Sequence, residues 1–399
     1  MTAGESHGQG IVAVLSGFPA GVKLTAEDIN RELAERQKGY GRGGRMKIEA
    51  DTVTFLSGVR KGHTLGSPIA MLISNRDWDN WKEQMSPEPG SIDRDTIVTR
   101  PRPGHADLAG ALKFGHTDIR NILERASARE TAGRVAAGAV CKVLLHHFGI
   151  AVFSFVVNIG GIKSRIEYNE LEKLRTRAIE SPVRCPDSDV GKLMMNRIDD
   201  AKRKGDSVGG IFEIIATGLP AGLGNVMNPE ERLDGIIAGA MMSIPAIKGV
   251  EFGLGFDSAD AHGSEVHDEI FYAPMSASQK TGNDILEGQG YAGGFYHKTN
   301  RAGGLEGGMT NGEPLVVRAA MKPIPTLQTP LRSVDLESKE PFSAAKERSD
   351  VCAVPAAAVV GEAAVAYCLA RAFLEKFSSD SLAEITRNFH SYLRYLEER

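Results

Sequence analysis

Cysteine is scarce in this sequence and shows no pairing pattern. Cys141, Cys185, Cys352 and Cys368 form no C-x-x-C pair and no metal-binding spacing. Cys141, Cys352 and Cys368 lie in apolar helical stretches, where a thiol behaves as a small hydrophobe. No disulfide framework and no metal site are expected, and a reducing cytoplasm is the expected compartment. A secretory leader is not expected either, since Thr2–Gly8 is polar from the start. No uninterrupted apolar run suits a membrane span; the longest, Ala353–Leu374, contains Pro355, Glu362 and Arg371. An excess of positive charge is also missing. With 47 basic and 51 acidic residues the net charge is −4, so no global field points to nucleic acid or a membrane surface. Any anion site must come from local clustering.

What is present is glycine, 45 of 399 residues, much of it in polar loops. That pattern favours tight turns and close backbone approach over disorder. The stretch Leu123–Val140 organises the rest. It places Arg125, Ser127, Arg129 and Arg134 ahead of and within a helix of small residues, expected over Thr131–His147 and closed by Gly149. Two glycines inside a helix cost about 1 kcal/mol each relative to alanine, so close packing must offset them. One reading is an anion-binding loop feeding a buried helix, because helix N-termini attract anions. The other is a close-packed core helix whose arginines form salt bridges.

The chain repeats itself. Gly10–Gly21 (GIVAVLSGFPAG) and Gly210–Gly222 (GIFEIIATGLPAG) each read as a strand, a Pro-Ala-Gly turn and then a helix. The first helix is expected from Thr25 to about Gln37, the second from near Asn228 with Pro229 at its first position. Further strands are expected at Ile48–Phe55, Pro68–Ser74 and Val152–Ile159. Arg348-Ser349-Asp350 precedes a second small-residue helix, Pro355–Leu374, as Arg125–Arg129 precede the first. Two related halves follow, about 1–160 and 208–399, with a charged helical insert over about 161–207. Helices apolar all round are buried ones. The expected fold is therefore α+β: one domain, a β-α-β sandwich with internal pseudo-two-fold duplication and small-residue helices between antiparallel sheets.

Four clusters carry chemistry. Gly4–Gly8 (GESHG) holds His7 just before a strand, positioned for proton transfer, or simply a satisfied loop histidine. Arg36–Lys47 (RQKGYGRGGRMK) has five basic residues in twelve, Arg36, Lys38, Arg42, Arg45 and Lys47, and no acid. It contains G-x-G-x-x-G, but after a helix and before a strand, the reverse of a dinucleotide fold. Its guanidiniums suit an anionic small molecule, since they grip carboxylate and phosphate bidentately; the alternative is a solvated basic loop. Arg100–Asp107 (RPRPGHAD) stiffens a loop that presents Arg102 and His105, with Asp107 placed to orient the imidazole. Asn300–Gly312 (NRAGGLEGGMTNG) and Lys322–Thr326 (KPIPT) bring backbone, Lys322 and Thr326 towards something flat or phosphorylated.

GESHG, the glycine-arginine loop, RPGHAD, RASARET, NRAGG-x-EGG-x-TNG, KPIPT and RSD occur in the order found in the chorismate synthase family. The resemblance runs from residue 2 to about residue 365. It implies 1,4-anti elimination of phosphate from 5-enolpyruvylshikimate 3-phosphate to give chorismate, in the shikimate pathway of aromatic amino-acid biosynthesis. It further implies a need for reduced FMN without net redox change, and assembly as a homotetramer. By the same resemblance, His7 protonates the reduced flavin and His105 is the acid for the leaving phosphate. Asp350 helps remove the ring proton, with Ser6 and Ser127 in support. Arg36, Arg42, Arg45, Arg102 and Arg129 line the anion site. Arg125, Ala126, Ser127, Ala246, Gly307, Lys322, Pro323, Ile324, Pro325, Thr326 and Arg348 match flavin-contacting segments. The flavin is reduced by NADPH on the protein or by an external flavin reductase; the missing nucleotide fingerprint leans to the latter. The segment Phe271–Gly293 is longer than the resemblance leads one to expect. A flavin-independent phosphate lyase and a non-catalytic flavin-binding relative are the competing readings.

Overall fold

The computed structural model describes residues 1–43, 50–90, 93–168, 170–273, 290–344 and 350–399. Two antiparallel sheets form its outer layers. The first contains β1 (Thr2–Ala3), β2 (Gly10–Leu15), β3 (Val53–Ser57) and β4 (Ile69–Ser74), in the order β1-β2-β4-β3. The second contains β5 (Ala151–Ile159), β6 (Ile162–Lys163), β7 (Gly210–Thr217), β8 (Ile247–Phe252) and β9 (Leu315–Met321), in the order β8-β9-β7-β5-β6. The order β2-β4-β3 in one sheet is repeated as β7-β9-β8 in the other, so the duplication legible in the sequence is also one of topology. β5 pairs with β7 and lies in the second sheet. The expected strand at Ile48–Phe55 forms as Val53–Ser57; residues 44–49 lie outside the described residues.

Side chains alternate across a strand, so one face of the first sheet points inward. Ile11, Ala13 and Leu15 of β2 meet Ile69, Met71 and Ile73 of β4 on that face. The second sheet is buried on both faces. Leu171 and Ala178 of the helix Leu171–Glu180 cover Phe153, Phe155, Ile215 and Val316 on its outer side. A second insert helix, Ser188–Arg203, sends Met194 and Ile198 into the main core. That core is continuous from Ile11 to Phe389 through both sheets.

Between the sheets lie the two small-residue helices, Thr131–His147 and Val354–Phe377. Their glycines mark three successive interfaces. A Cβ on Gly133 would lie 3.0 Å from Ile11 of the first sheet, and one on Gly361 would lie 2.8 Å from Phe212 of the second. A Cβ on Gly138 would lie 2.4 Å from the Ala363 Cα, so the two helices touch backbone to backbone. Both start beneath the C-terminal end of the helix Ala26–Gln37: Arg36 reaches Thr131 and Gly39 packs on Pro355. Both finish in an aromatic cluster of Phe148, Phe373, Phe377 and Phe389. In the second half, Asn228 caps a short 3-10 turn, Pro229–Glu231, and the α-helix itself runs from Leu233 to Met242.

Val354–Phe377 is long and apolar enough to cross a membrane by length and composition, yet it is mostly buried inside the protein. Its buried carboxylate, Glu362, accepts from Lys142 Nζ (2.7 Å), Ser154 Oγ (2.6 Å) and Arg184 Nη2 (2.5 Å). Burial alone would raise this carboxyl, but Lys142 and Arg184 overcome it and hold it well below the usual range. Glu362→Ala is expected to cost about 3 kcal/mol at pH 7, because it leaves two buried cations short of a partner. A folded value below the unfolded one contributes stability that is present above the unfolded value and lost as pH falls through the folded one. The difference between Glu362→Ala and the parent in urea unfolding is therefore expected to shrink below pH 4.5; a pH-independent difference contradicts the account.

Candidate active site

The N-terminal loop is held by a buried carboxylate. Glu124 follows the short helix Arg120–Leu123 and its side chain is 1% exposed. It accepts from the His7 main-chain N–H at 2.8 Å and lies 2.9 and 3.0 Å from His7 Nδ1. Its own main-chain carbonyl accepts from the buried Ser6. Trp81 stacks on the His7 ring at 4.0 Å and 25°. Arg120 lies over Trp81 and 3.4 Å from Glu124. Burial would raise the Glu124 carboxyl; the His7 hydrogen bonds and Arg120 bring it below its ordinary value instead.

Asn75 connects this loop to the arginines. It donates to the Glu5 and Gly8 carbonyls and accepts from Arg129 Nε at 2.8 Å. Arg129 also reaches Asp51 Oδ1 at 2.5 Å, and Arg36 reaches Asp51 Oδ2 at 2.6 Å. Burial pushes the Arg36 guanidinium below its ordinary value; Asp51 opposes this, and the nearby Arg42 and Arg129 add to it. Asp51, itself buried, is held low by the two guanidiniums against the opposing effect of burial. Arg36 Nε is buried and makes no hydrogen bond among the described residues.

Arg42 continues this cationic cluster to the head of the second central helix. Its Nη1 lies 2.9 Å from Asp350 Oδ2, and Gly43 N–H donates to Asp350 Oδ1 at 2.6 Å. Val351 N–H donates to the Gly41 carbonyl. A Cβ on Gly41, whose φ is +86°, would lie 2.8 Å from Ile198. The glycine there lets the loop pass between the insert helix and Cys352.

His105 belongs to a third cluster. Its Nδ1 lies 2.5 Å from Asp107 Oδ1, and Arg102 grips the same carboxylate through Nε at 2.8 Å and Nη2 at 3.1 Å. Asp107 is wholly buried; burial would raise it, but His105 and Arg102 hold it far below its ordinary value. Arg102 Nη1 donates to Thr326 Oγ1 at 3.2 Å, and Lys322 Nζ donates to the Gly104 carbonyl. Lys322 N–H donates to Ala246, a non-glycine residue at φ +69°. Such a left-handed alanine costs about 1–2 kcal/mol and persists only where its surroundings fix it. Ser207 Oγ donates to Ile324, which ties Pro323–Pro325 to the second half.

The other expected site residues make the following contacts. Ser127 caps the 3-10 turn Ala128–Glu130 by accepting from Arg129 N–H at 3.3 Å. Ala126 donates within its own turn, to Ile122. The Arg125 guanidinium donates to Thr2 and Gly4, fastening the first strand. Gly307 and Gly308, at φ +59° and +81°, form a hairpin turn against Val226 and Arg232. Gly303 and Gly304 pack on Gly253 and Pro314, so the glycine pairs of this segment serve internal close approach. Arg45, Arg348 and positions 274–289 of the Phe271–Gly293 segment lie outside the described residues. The Leu123–Val140 stretch matches its core-helix reading: the helix is core, and Arg129 and Arg134 are salt-bridged, to Asp51 and Glu130.

A cavity of about 720 Å³ is walled by Gln84, Asp95–Arg100, Arg120, Pro330 and Phe342–Ala344, so it borders the His7 cluster at Arg120. Arg100 lies 3.4 Å over the Phe342 ring. Cavities of this size hold cofactor-sized ligands.

The chorismate synthase family model matches residues 1–374. The chain belongs to the chorismate synthase family. The chorismate synthase of Geobacter sulfurreducens is 56% identical over 396 residues, covering 99% of this chain and 98% of that protein. That of Geobacillus thermodenitrificans is 54% identical over 403 residues, covering 100% and 99%. A solved structure described as "Crystal Structure of Chorismate Synthase" superposes with a TM-score of 0.77 at 42% identity, covering 100% of this chain and 98% of that one. Chorismate synthases are phosphate-eliminating lyases, and the sandwich described above is the fold of that family.

Reading the sequence for site residues missed Asp51, Asn75, Trp81, Arg120 and Glu124. A basic loop with no acid of its own signals a buried counter-charge, and Arg120 and Glu124 sit at i and i+4. Asp51→Asn is expected to cost about 3 kcal/mol in urea unfolding, because Arg36 and Arg129 lose their shared buried anion. Asp79→Asn, which removes an exposed partner of Lys82, is expected to leave stability nearly unchanged. Equal effects of the two would contradict the assignment.

Proposed function

We propose that this chain eliminates phosphate from 5-enolpyruvylshikimate 3-phosphate to give chorismate, and that it requires reduced FMN. The reading rests on the family membership together with one observation: each of two histidine–carboxylate pairs has arginines at hand, His7–Glu124 joined through Asn75 to the Arg36–Arg42–Arg129 cluster and His105–Asp107 gripped by Arg102. The substrate carries two carboxylates and a phosphate. Guanidiniums held by Asp51, Asp107 and Asp350 offer fixed donors to such an anion without large reorganisation.

A flavin mononucleotide fits the donors present. Lys322 and Thr326, beside Gly104 and Arg102, offer a cation and a hydroxyl to its phosphate, and the 720 Å³ cavity offers Arg100, Arg120 and an aromatic wall at Phe342. When bound, the reduced flavin supplies electron density for C–O cleavage without net redox. The protein's own residues handle protons and orientation. His105 Nδ1 is tied to Asp107, and Nε2, 3.4 Å from the Arg102 guanidinium, is the nitrogen that delivers a proton to the departing phosphate. Asp350, oriented by Gly43 N–H and Arg42, is the carboxylate for the ring proton. His7 holds a proton on the cofactor side, and Ser6 keeps the loop in place through Glu124. The enzyme works as a homotetramer, with its flavin reduced by NADPH or an external reductase.

Anaerobic phosphate release, with chemically reduced FMN present or absent, tests this. Release only with reduced flavin, and chorismate absorbance rising alongside, is expected. Release without flavin would replace the reading with plain acid–base elimination; flavin binding with no release would leave a non-catalytic relative. His105→Ala is expected to lower kcat by about 10²–10⁴-fold with a much smaller change in KM. Unchanged turnover would remove His105 from the mechanism.

A further inference from the structure

We propose that Glu124 is the positioning residue for His7, fixing its imidazole with the proton on Nδ1 and leaving Nε2 as the atom that exchanges one. The inference rests on the reading of His7 as a proton-holding group and names what makes it competent.

The geometry admits one arrangement. An ionised carboxylate can only accept hydrogen bonds, so a ring nitrogen 2.9 and 3.0 Å from its two oxygens must be the N–H. Main chain and ring of His7 are bound to the same carboxylate, because the His7 backbone N–H also donates to it. Ring rotation is blocked by Trp81, stacked at 4.0 Å. Glu124 is fixed in turn: its side chain is buried, Arg120 lies one helical turn before it, and its carbonyl receives Ser6 N–H. Nε2 has no hydrogen-bond partner among the described residues, and the His7 side chain is 18% exposed, so that nitrogen is the one available to a ligand.

Fixing a tautomer through the second ring nitrogen is how carboxylates make histidines effective in proton transfer. Glutamine is nearly isosteric but carries both a donor and an acceptor, so it no longer dictates which nitrogen holds the proton. Glu124 would then act through His7 without touching the substrate, and its loss would be read in kcat rather than KM.

The direct test needs no stability-compromised variant. In the intact protein labelled with ¹⁵N-histidine, two-bond ¹H–¹⁵N spectra report the tautomer of each neutral ring, with His7→Gln identifying the His7 signals. The expected result is His7 with protonated Nδ1; a protonated Nε2 overturns the proposal. Glu124→Gln is expected to mix the tautomers and to lower kcat in the anaerobic reduced-FMN assay by about 10- to 100-fold, with KM changed by less than about twofold. Parent-like turnover in Glu124→Gln, beside a slow His7→Gln, would remove Glu124 and leave His7 in place. Parent-like turnover in His7→Gln would remove the reading of His7 itself.

Discussion

The contact that the rest of the structure depends on is the backbone-to-backbone approach of the two central helices at Gly138 and Ala363. Helices with ordinary side chains pack 8–10 Å apart. Here no Cβ fits at position 138 against Ala363, so the helices close up, and each remains free to cover one sheet. The close crossing also aligns their N-terminal ends. Arg129 and Thr131 at one head, and Asp350 and Cys352 at the other, come under the same end of the helix that carries Arg36. The arginine cluster and the central packing are therefore one construction.

Electrostatics complete it. A cluster of guanidiniums cannot be buried without counter-charge. Asp51 serves Arg36 and Arg129, Asp350 serves Arg42, and Asp107 serves Arg102. Each carboxylate is shared between a cation and a second donor, which fixes direction as well as charge. The buried Glu362 network does the same lower down, joining both central helices to the first helix through Lys142 and Glu32. Positive groups are thus held in fixed positions inside a chain of net negative charge.

The fold was legible in the sequence because its devices are local. The repeated strand and Pro-Ala-Gly turn at Gly10 and Gly210 showed the duplication, and the glycine-studded helices showed the buried layer. The helix over Thr131–His147 forms with the bounds its capping signals predict. Strand partnership was less legible: nothing local places Ala151–Ile159 beside Gly210–Thr217. In the candidate site, residues that stand in unusual loops were found from the sequence, His7, His105 and Arg42 among them. Residues whose role arises only in three dimensions were not. Asp51 sits in an unremarkable strand entry, and Glu124 reads as one charge among many until Arg120, Trp81 and His7 converge on it. Arg125 has a structural duty that its loop sequence did not signal, fastening the first strand through Thr2 and Gly4.

The most direct measurement of the central claim is steady-state turnover of Gly138→Ala, a methyl group placed in the core among residues that carry none of the proposed chemistry. The account predicts a protein that folds, with a lowered unfolding midpoint, and with kcat/KM reduced by about tenfold because the helix heads are pushed apart. A destabilised protein with parent-like kcat/KM would contradict it, and would mean that the site is held together by its own ion pairs rather than by the crossing of the two helices.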